Sequence, residues 1–257
     1  MVKHLVGSVL AALGVAAAIP TEYCRAQVAT TIRVRVVAHD AKVIGSSVGG
    51  ARVYVRAPST GEILAEGVQE GGTGDTRAIV IDPVKRGAAI FDSPNAAVFT
   101  ARLTLNEPTV LEFVGEGPLG FEHAMQRAVK SMLVVPGEDI LGDGVVLELH
   151  GFIVELLEPR EVVAREGDFK VVAKVRMMCG CPLEPGGLWD ADRVRVKAVV
   201  YRNGDLIQSA DLAYAGTPNT FEGEISVGNA VHGAELIVVA SDRSRINFGK
   251  SPATTIK

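Results

Sequence analysis

The residues best suited to chemistry lie in one short stretch of the chain, residues 177–182, whose sequence is MMCGCP. Thiolate and thioether sulfurs are the soft ligands that Cu(I) prefers, so this stretch is a candidate Cu(I) site. We predict Met177, Cys179 and Cys181 as ligands, with Met178 as a fourth. Because thiols must lose their protons to bind a metal, copper affinity is expected to weaken as the pH falls.

The candidate site continues a predicted β-strand. Between residues 170 and 176 apolar and charged residues alternate, which is typical of a half-buried strand. If the chain stays extended, Met177, Cys179 and Cys181 lie two residues apart on the apolar face of that strand.

Other interpretations of the two cysteines stay open. Free cysteine and methionine also behave as buried hydrophobic residues, so the sulfurs could simply extend the core. Alternatively the thiols form a local disulfide, because strand neighbours two apart lie about 6.6 Å from each other, within the roughly 4.4–6.8 Å that disulfides span. Gly180 would let the backbone tighten. A strained bridge of this kind could also exchange with other thiols.

The first 26 residues have the features of a secretory signal peptide. A short basic start precedes an apolar run over residues 5–19, Pro20 ends the run, and small residues, Cys24 and Ala26, occupy positions −3 and −1 of a cleavage site before Gln27. The run is too short to be a transmembrane helix, and no later segment is long enough to span. We therefore predict a periplasmic or extracellular protein, in which Cys179 and Cys181 are the cysteines that remain.

Composition limits the function classes. A chain of 257 residues with 47% apolar residues can bury a sizeable core and is expected to form two domains. The net charge of −4 and the lack of a basic cluster argue against a nucleic-acid partner. The sequence has no zinc quartet of paired cysteines, and its serines lie mostly in predicted turns, so we predict a non-catalytic protein.

Several polar residues have ordinary structural roles in this prediction. His123 and His150 have no partner at ligand spacing and are predicted to be isolated surface residues. His39 and Asp40 are adjacent, which places them on opposite faces of a strand. The acidic loop around Asp139 and Asp143 has too few oxygens at EF-hand spacing and is predicted to be a solvated turn rather than a Ca²⁺ site.

Short alternating segments separated by turn residues predict an all-β chain. Asn203-Gly204 between apolar runs is a strong hairpin signal, since both residues tolerate positive φ. We also predict short strands at 79–81, 89–91 and 161–164, and a single helix at 121–130.

Two parts of the chain resemble known sandwich families. The segments GARVYV (50–55) and STGEILAEG (59–67) resemble carboxypeptidase-regulatory-like (prealbumin-like) and collagen-adhesin B-type domains. The segments LIVVASD (236–242) and INFGKS (246–251) are similar to the final hairpin of bacterial immunoglobulin-like domains. These resemblances imply structural or interaction modules and carry no catalytic residue. The sixth strand lacks the cysteine that this immunoglobulin-like family uses for its bridge between sheets.

The sequence thus predicts an all-β fold of two tandem immunoglobulin-like/prealbumin-like β-sandwiches after a signal peptide. The predicted divisions are 1–26 (signal peptide), 27–158 (carboxypeptidase-regulatory-like) and 159–257 (immunoglobulin-like). The predicted function is exported, non-catalytic binding of a protein or cell-envelope partner, with Cu(I) bound through the stretch at 177–181. The alternative is a purely structural or adhesive cell-envelope module with a local Cys179–Cys181 bridge.

Overall fold

The computed structural model describes residues 28–161, 167–228 and 231–257, which are built almost entirely from β-strands. The signal peptide predicted at 1–26 and most of the strand predicted at 161–164 lie outside these ranges. Within them, no helix is long and apolar enough to cross a membrane.

The N-terminal sandwich consists of two facing sheets formed by the first seven strands. One sheet has the order β4-β1-β7, from Phe99–Leu105, Val28–Ala38 and Ile140–Leu149. The other has the order β3-β2-β5-β6, from Ile63–Gln69, Ala51–Arg56, Thr109–Gly117 and Gln126–Val134. The pairing of β1 with β7 is parallel, whereas the other pairs are antiparallel.

Alternating residues of these strands form the core between the sheets. Ile32, Val34 and Val36 of β1 are fully buried in one cluster with Val53 and Phe113 of the opposite sheet. This alternation is what a strand with one buried face requires.

The buried side-chain amide of Gln69 connects the two sheets by hydrogen bonds to backbone groups. Gln69 at the end of β3 is fully buried, and its Oε1 accepts a hydrogen bond from the Val36 N–H at 2.7 Å. Its Nε2 donates to the carbonyls of Val36 and Ile44, both at 2.9 Å. A buried amide that makes three hydrogen bonds costs little and fixes the position of one sheet on the other.

The C-terminal sandwich is one continuous path of strands that folds over on itself. Its order is β14-β13-β10-β11-β12-β9-β8, with β15 also paired to β13. The strands are Phe152–Glu158 (β8), Gly167–Met177 (β9), Arg195–Arg202 (β10), Asp205–Tyr214 (β11), Thr220–Val227 (β12), Glu235–Asp242 (β13), Asn247–Lys250 (β14) and Thr254–Thr255 (β15).

Strand β11 passes from one layer to the other. It pairs with β10 over most of its length, and then Ala213 and Tyr214 pair with β12. The two ends of the path come together, since a Cβ built on Gly249 of β14 would lie 2.5 Å from the Phe152 carbonyl oxygen of β8. The layers therefore enclose a core between them.

The sequence-based fold class, an all-β chain of β-sandwiches, is confirmed. Val196, Ala198 and Val200 point inward from β10, as their parity predicts. The predicted hairpin joins β10 to β11, with φ of 51° at Asn203 and 90° at Gly204.

Three local predictions are wrong. The helix predicted at 121–130 is a short 3₁₀ turn at Glu122–Ala124 followed by β6, which pairs with β5 along its whole length. The segment at 79–81 belongs to a π-helical turn, Arg77–Ile81, and residues 89–91 are irregular. In β6, Ala128, Met132 and Val134 alternate toward the core, so pairing with β5 overrides a loosely helical spacing. Two further 3₁₀ turns occur at Ser46–Val48 and Ala191–Arg193.

Strand β8 lies before the predicted domain boundary at 158/159 but pairs with β9 of the C-terminal sandwich. The change from one set of sheets to the other occurs between Leu149 and Phe152, where β7 ends and β8 begins. The domain division itself stays a prediction.

Candidate functional site

The cysteine stretch forms a tight, disulfide-closed turn at the end of β9. The strand ends at Met177, whose carbonyl accepts the Gly180 N–H at 2.8 Å and whose N–H donates to the Cys181 carbonyl at 3.1 Å. Cys179 and Cys181 form a disulfide with a Cα–Cα distance of 5.4 Å. We refer to residues 177–181 as the cysteine turn. The prediction of an extended strand with three sulfurs along one face is wrong, because the chain turns after Met177.

All four predicted sulfur ligands are buried in this turn. Met177, Met178 and Cys179 are at most 3% exposed, and Cys181 is 8% exposed. In the described geometry the two Sγ atoms are bonded to each other, so Cu(I) binding at these residues stays a prediction for the reduced protein.

The cysteine turn packs against the N-terminal sandwich. Gly180 has a φ of 82°, and a Cβ built there would lie 2.9 Å from Cγ1 of Val48, which is 1% exposed. Met178 packs at Gly151, where a built Cβ would lie 3.2 Å from its Sδ. We call this region the inter-sandwich interface; its residues include Asp40, Val48, His150, Gly180, Trp189, Arg245 and Asn247.

The turn that contains Trp189 packs against the same interface. Trp189 is 9% exposed and its indole Nε1–H donates to the Asp40 carbonyl at 2.9 Å. Asp190 holds the turn in place by accepting the N–H groups of Gly186 at 3.0 Å and Asp192 at 3.1 Å. These two backbone hydrogen bonds lower the pKa of the Asp190 carboxyl below its ordinary value, the Gly186 bond contributing most.

Charged groups surround a small cavity in the interface. The cavity has a volume of about 220 Å³, and its lining residues include Asp40, Trp189, Arg193, Asp242 and Arg245. Arg245 forms an ion pair with Asp40, and Nδ2 of Asn247 donates to the His39 carbonyl at 3.4 Å. The cavity is thus closed partly by a bond between charged side chains of the two sandwiches.

Two histidines and a carboxylate meet at one edge of this interface. His39 Nδ1 lies 2.8 Å from Glu148 Oε1, and the rings of His39 and His150 stack with centroids 3.9 Å apart. His150 therefore has close neighbours, and its prediction as an isolated histidine is wrong. The sequence contained a signal for this cluster: Glu148 lies in β7 and His150 directly follows that strand, two residues further on, while His39 directly follows β1, which pairs with β7 in parallel.

His123 also has a partner in the C-terminal sandwich. Its Nε2 hydrogen-bonds to the Val154 carbonyl at 2.9 Å, and the guanidinium of Arg176 lies over the ring of Phe121 at 4.6 Å.

The acidic loop uses its carboxylates to bind backbone groups. Asp139 Oδ1 accepts the Thr31 N–H at 2.7 Å, and Asp143 accepts the N–H groups of Ile90 at 2.9 Å and Phe91 at 2.7 Å. These bonds give Asp139 and Asp143 a structural role.

Comparison with known proteins gives only distant likenesses. A scan against protein-family models and a search of curated proteins both find no match. Among solved structures, three titin immunoglobulin domains carrying an E-to-A mutation are similar at 11% identity and a TM-score of 0.26. That match covers 90% of this chain and 66% of the other, so the chain spans just under two thirds of its length. The titin Z1Z2 domains in complex with telethonin match at 11% identity and a TM-score of 0.22, covering 90% and 97%. The description of the fold therefore rests on the strand pairing given above.

Proposed function

We propose that the protein is an exported, non-catalytic interaction module whose two sandwiches are held in a fixed relative orientation. The contact that carries this proposal is the cysteine turn on Val48, together with the Trp189–Asp40 hydrogen bond. A disulfide-closed turn with positive φ at Gly180 has few alternative conformations, so it is suited to hold a neighbouring domain. The disulfide also favours an oxidising compartment, in agreement with the leader predicted at 1–26.

The surface best suited to a partner is a groove between two sheet edges of the N-terminal sandwich. Among the described strands, β6 and β7 are each the last in their sheet, β6 paired to β5 and β7 to β1. The groove has a volume of about 420 Å³, and Val37, Phe91, Val129 and Leu147 contribute apolar lining. Val129 is 48% exposed.

Unpaired strand edges bind extended peptides by adding a strand, and adjacent pockets select side chains. We therefore propose that an extended segment of a partner protein lies along β6. Lys130 and Glu148 at the two sides of the groove would restrict which charges that segment carries.

Site-specific photo-crosslinking tests this function. A photoreactive side chain at Val129 should give a discrete protein adduct in cells that export the chain. The matched control is Ile207 on β11, which has similar exposure, 47%, in the other sandwich. Leu133→Lys, which puts a charge on the exposed face of β6, should weaken the adduct at Val129. Equal adducts at both positions, or none at Val129, would contradict the proposal.

We retain Cu(I) binding by Met177, Met178, Cys179 and Cys181 as a proposal for the reduced protein. It is supported by the packing of two thioethers and two cysteines within one five-residue turn. Anaerobic reconstitution after reduction should give one retained copper per chain. Equal retention by Cys179→Ser/Cys181→Ser would refute the site, and the alternative of a purely structural bridge would then remain.

A further inference from the structure

The cluster of His39, Glu148 and His150 shares Glu148 with the rim of the groove on β6 but uses no residue of the cysteine turn, and it has the composition of a metal site. One nitrogen from each imidazole and one carboxylate oxygen all lie within 4.8 Å of one another. Glu148 uses Oε1 toward His39 Nδ1 at 2.8 Å, while its Oε2 lies 4.0 Å from His150 Nε2. We propose that these three residues bind a divalent transition-metal ion such as Zn²⁺.

The backbone holds the three residues at one end of the sheet. Strands β1 and β7 run in parallel, so the residues at their C-terminal ends emerge at the same edge. The His39 N–H donates to the Leu149 carbonyl at 2.8 Å, which sets His39 beside the residues on either side of Leu149. Those residues are Glu148, in β7, and His150, which directly follows it, and both of their side chains lie beside that of His39.

A contact with the backbone orients the His150 ring for metal binding. Its Nδ1 lies 3.2 Å from the Ile246 carbonyl oxygen, which can only accept a hydrogen bond. In the neutral imidazole, an Nδ1–H that donates to this carbonyl leaves the lone pair that a metal requires on Nε2, the nitrogen nearer to Glu148. A backbone carbonyl on the second nitrogen is the usual support for a ligating histidine.

The donor set selects the class of ion. Two imidazoles and one carboxylate suit Zn²⁺, Cu²⁺ or Ni²⁺, whereas Ca²⁺ requires several oxygen ligands. Tetrahedral Zn²⁺ with bonds of about 2.0–2.1 Å separates its ligand atoms by about 3.3 Å. The observed separations of 2.8 and 4.0 Å lie on either side of that value. Binding requires that the two stacked rings, now 19° from parallel, tilt toward one ion and that His39 Nδ1 exchange its hydrogen bond with Glu148 for the metal. With three protein ligands, water would complete the coordination.

The side chains are also accessible to an ion in solution. The side chain of His39 is 25% exposed, Glu148 48% and His150 44%. Since Ile246 and Asn247 of the C-terminal sandwich contact His150 and His39, a bound ion would stabilise the inter-sandwich interface as well as the N-terminal sandwich.

Zn²⁺ titration of the disulfide-intact protein, purified without a histidine tag, tests the proposal. Keeping the disulfide intact prevents the cysteines from acting as ligands. We expect one Zn²⁺ per chain by calorimetry, and a rise in Tm of about 5–10 °C at a hundredfold excess over Kd. Ca²⁺ at the same concentration should leave the Tm unchanged.

Single substitutions identify the ligands. His150→Gln and Glu148→Gln should each weaken Zn²⁺ binding about tenfold or more, whereas His232→Gln, at an exposed histidine of the C-terminal sandwich, should leave it unchanged. The absence of Zn²⁺-dependent heat and Tm change would overturn the site. So would affinity that stays within twofold of the wild type in both variants, because the cluster would then be a hydrogen-bonded pair with a stacked ring and no more.

Discussion

The side chain of Asp190 stabilises the turn before β10 through two hydrogen bonds with backbone N–H groups. Its Oδ1 accepts the N–H groups of Gly186 and Asp192, and so holds the loop from which Trp189 reaches Asp40 of the other sandwich. Both bonds favour the ionised carboxylate, which is why the pKa of Asp190 is lowered.

The lowered pKa of Asp190 predicts a pH dependence. The carboxylate stabilises the fold at any pH above the ordinary aspartate pKa of about 3.9, and that contribution is lost as the pH falls through the lower, folded-state pKa. A ¹³C NMR titration of the side-chain carboxyl should therefore have its midpoint below about 3.9. In Asp190→Asn, which keeps an oxygen acceptor without titrating, this part of the acid destabilisation should be absent. A midpoint at or above the ordinary value would show that the two hydrogen bonds do not form in solution.

At this scale the sequence identifies residue types but few of their partners. It singled out the two cysteines and the histidines. It did not pair His150 with His39, because their proximity depends on a parallel pairing of strands distant in sequence. Side-chain periodicity reports which face of a strand a residue occupies, and it contains no information about the neighbouring strand.

Among the elements, the cysteine turn is where local conformation and tertiary contact are combined. Gly180 and Gly186 both have positive φ, 82° and 67°, in neighbouring turns. A Cβ at Gly180 would meet Val48, whereas none of the surrounding atoms lies within 4 Å of a Cβ at Gly186.

Alanine substitutions at these two glycines separate the two effects. Gly186→Ala should cost about 1 kcal/mol, because only the left-handed backbone conformation is penalised. Gly180→Ala should cost about 1–3 kcal/mol more, since Val48 is buried and its branched side chain cannot easily rotate away. Urea unfolding of the disulfide-intact proteins measures both values. Equal losses would mean that the cysteine turn does not press on the N-terminal sandwich.

Most strands were predictable, and the failures have a common cause. The alternation in β9 and β10 was read correctly because one face of each is buried and the other is polar. The end of β9 was missed because apolar residues continue into a turn that is itself buried against another sandwich. The first part of β6 was taken for a helix because the outward-facing Val129 is apolar and Lys130 interrupts the inward-facing series of Ala128 and Met132, so polar and apolar residues do not alternate cleanly there.

For the whole molecule, the inter-sandwich interface determines whether the halves unfold together. Trp189 is the sole tryptophan of the chain and lies within this interface, so its fluorescence reports on the contact directly. Most of the buried apolar residues of both sandwiches belong to one hydrophobic cluster, and Val37, Val43 and Ala97 form a smaller second one.

We expect thermal unfolding followed by Trp189 fluorescence to coincide with unfolding followed by far-UV circular dichroism, as a single cooperative transition requires. Arg245→Ala should leave that coincidence intact, because an ion pair between partly exposed groups contributes at most about 1 kcal/mol. A fluorescence transition that precedes the loss of strand signal would show that the interface opens while the sandwiches remain folded.

The all-β class and the presence of two sandwiches followed from strand spacing, while their mutual arrangement could not be predicted. Many of the contacts between them come from turns, at Asp40, Val48, Gly180 and Trp189, and turns lack a periodic pattern from which a partner could be inferred.

The parallel pairing of β1 with β7 has a consequence for how the protein is made. Strand β1 lies in the middle of its sheet, and the bond from Thr31 to Asp139 spans 108 residues. During synthesis β1 cannot complete its pairing until β7, the last strand of its sandwich, has been made. Closing so long a loop makes assembly slow. Until then β1 exposes one bare edge on which other chains could assemble, so a fragment that stops before β7 should aggregate rather than form a smaller stable unit.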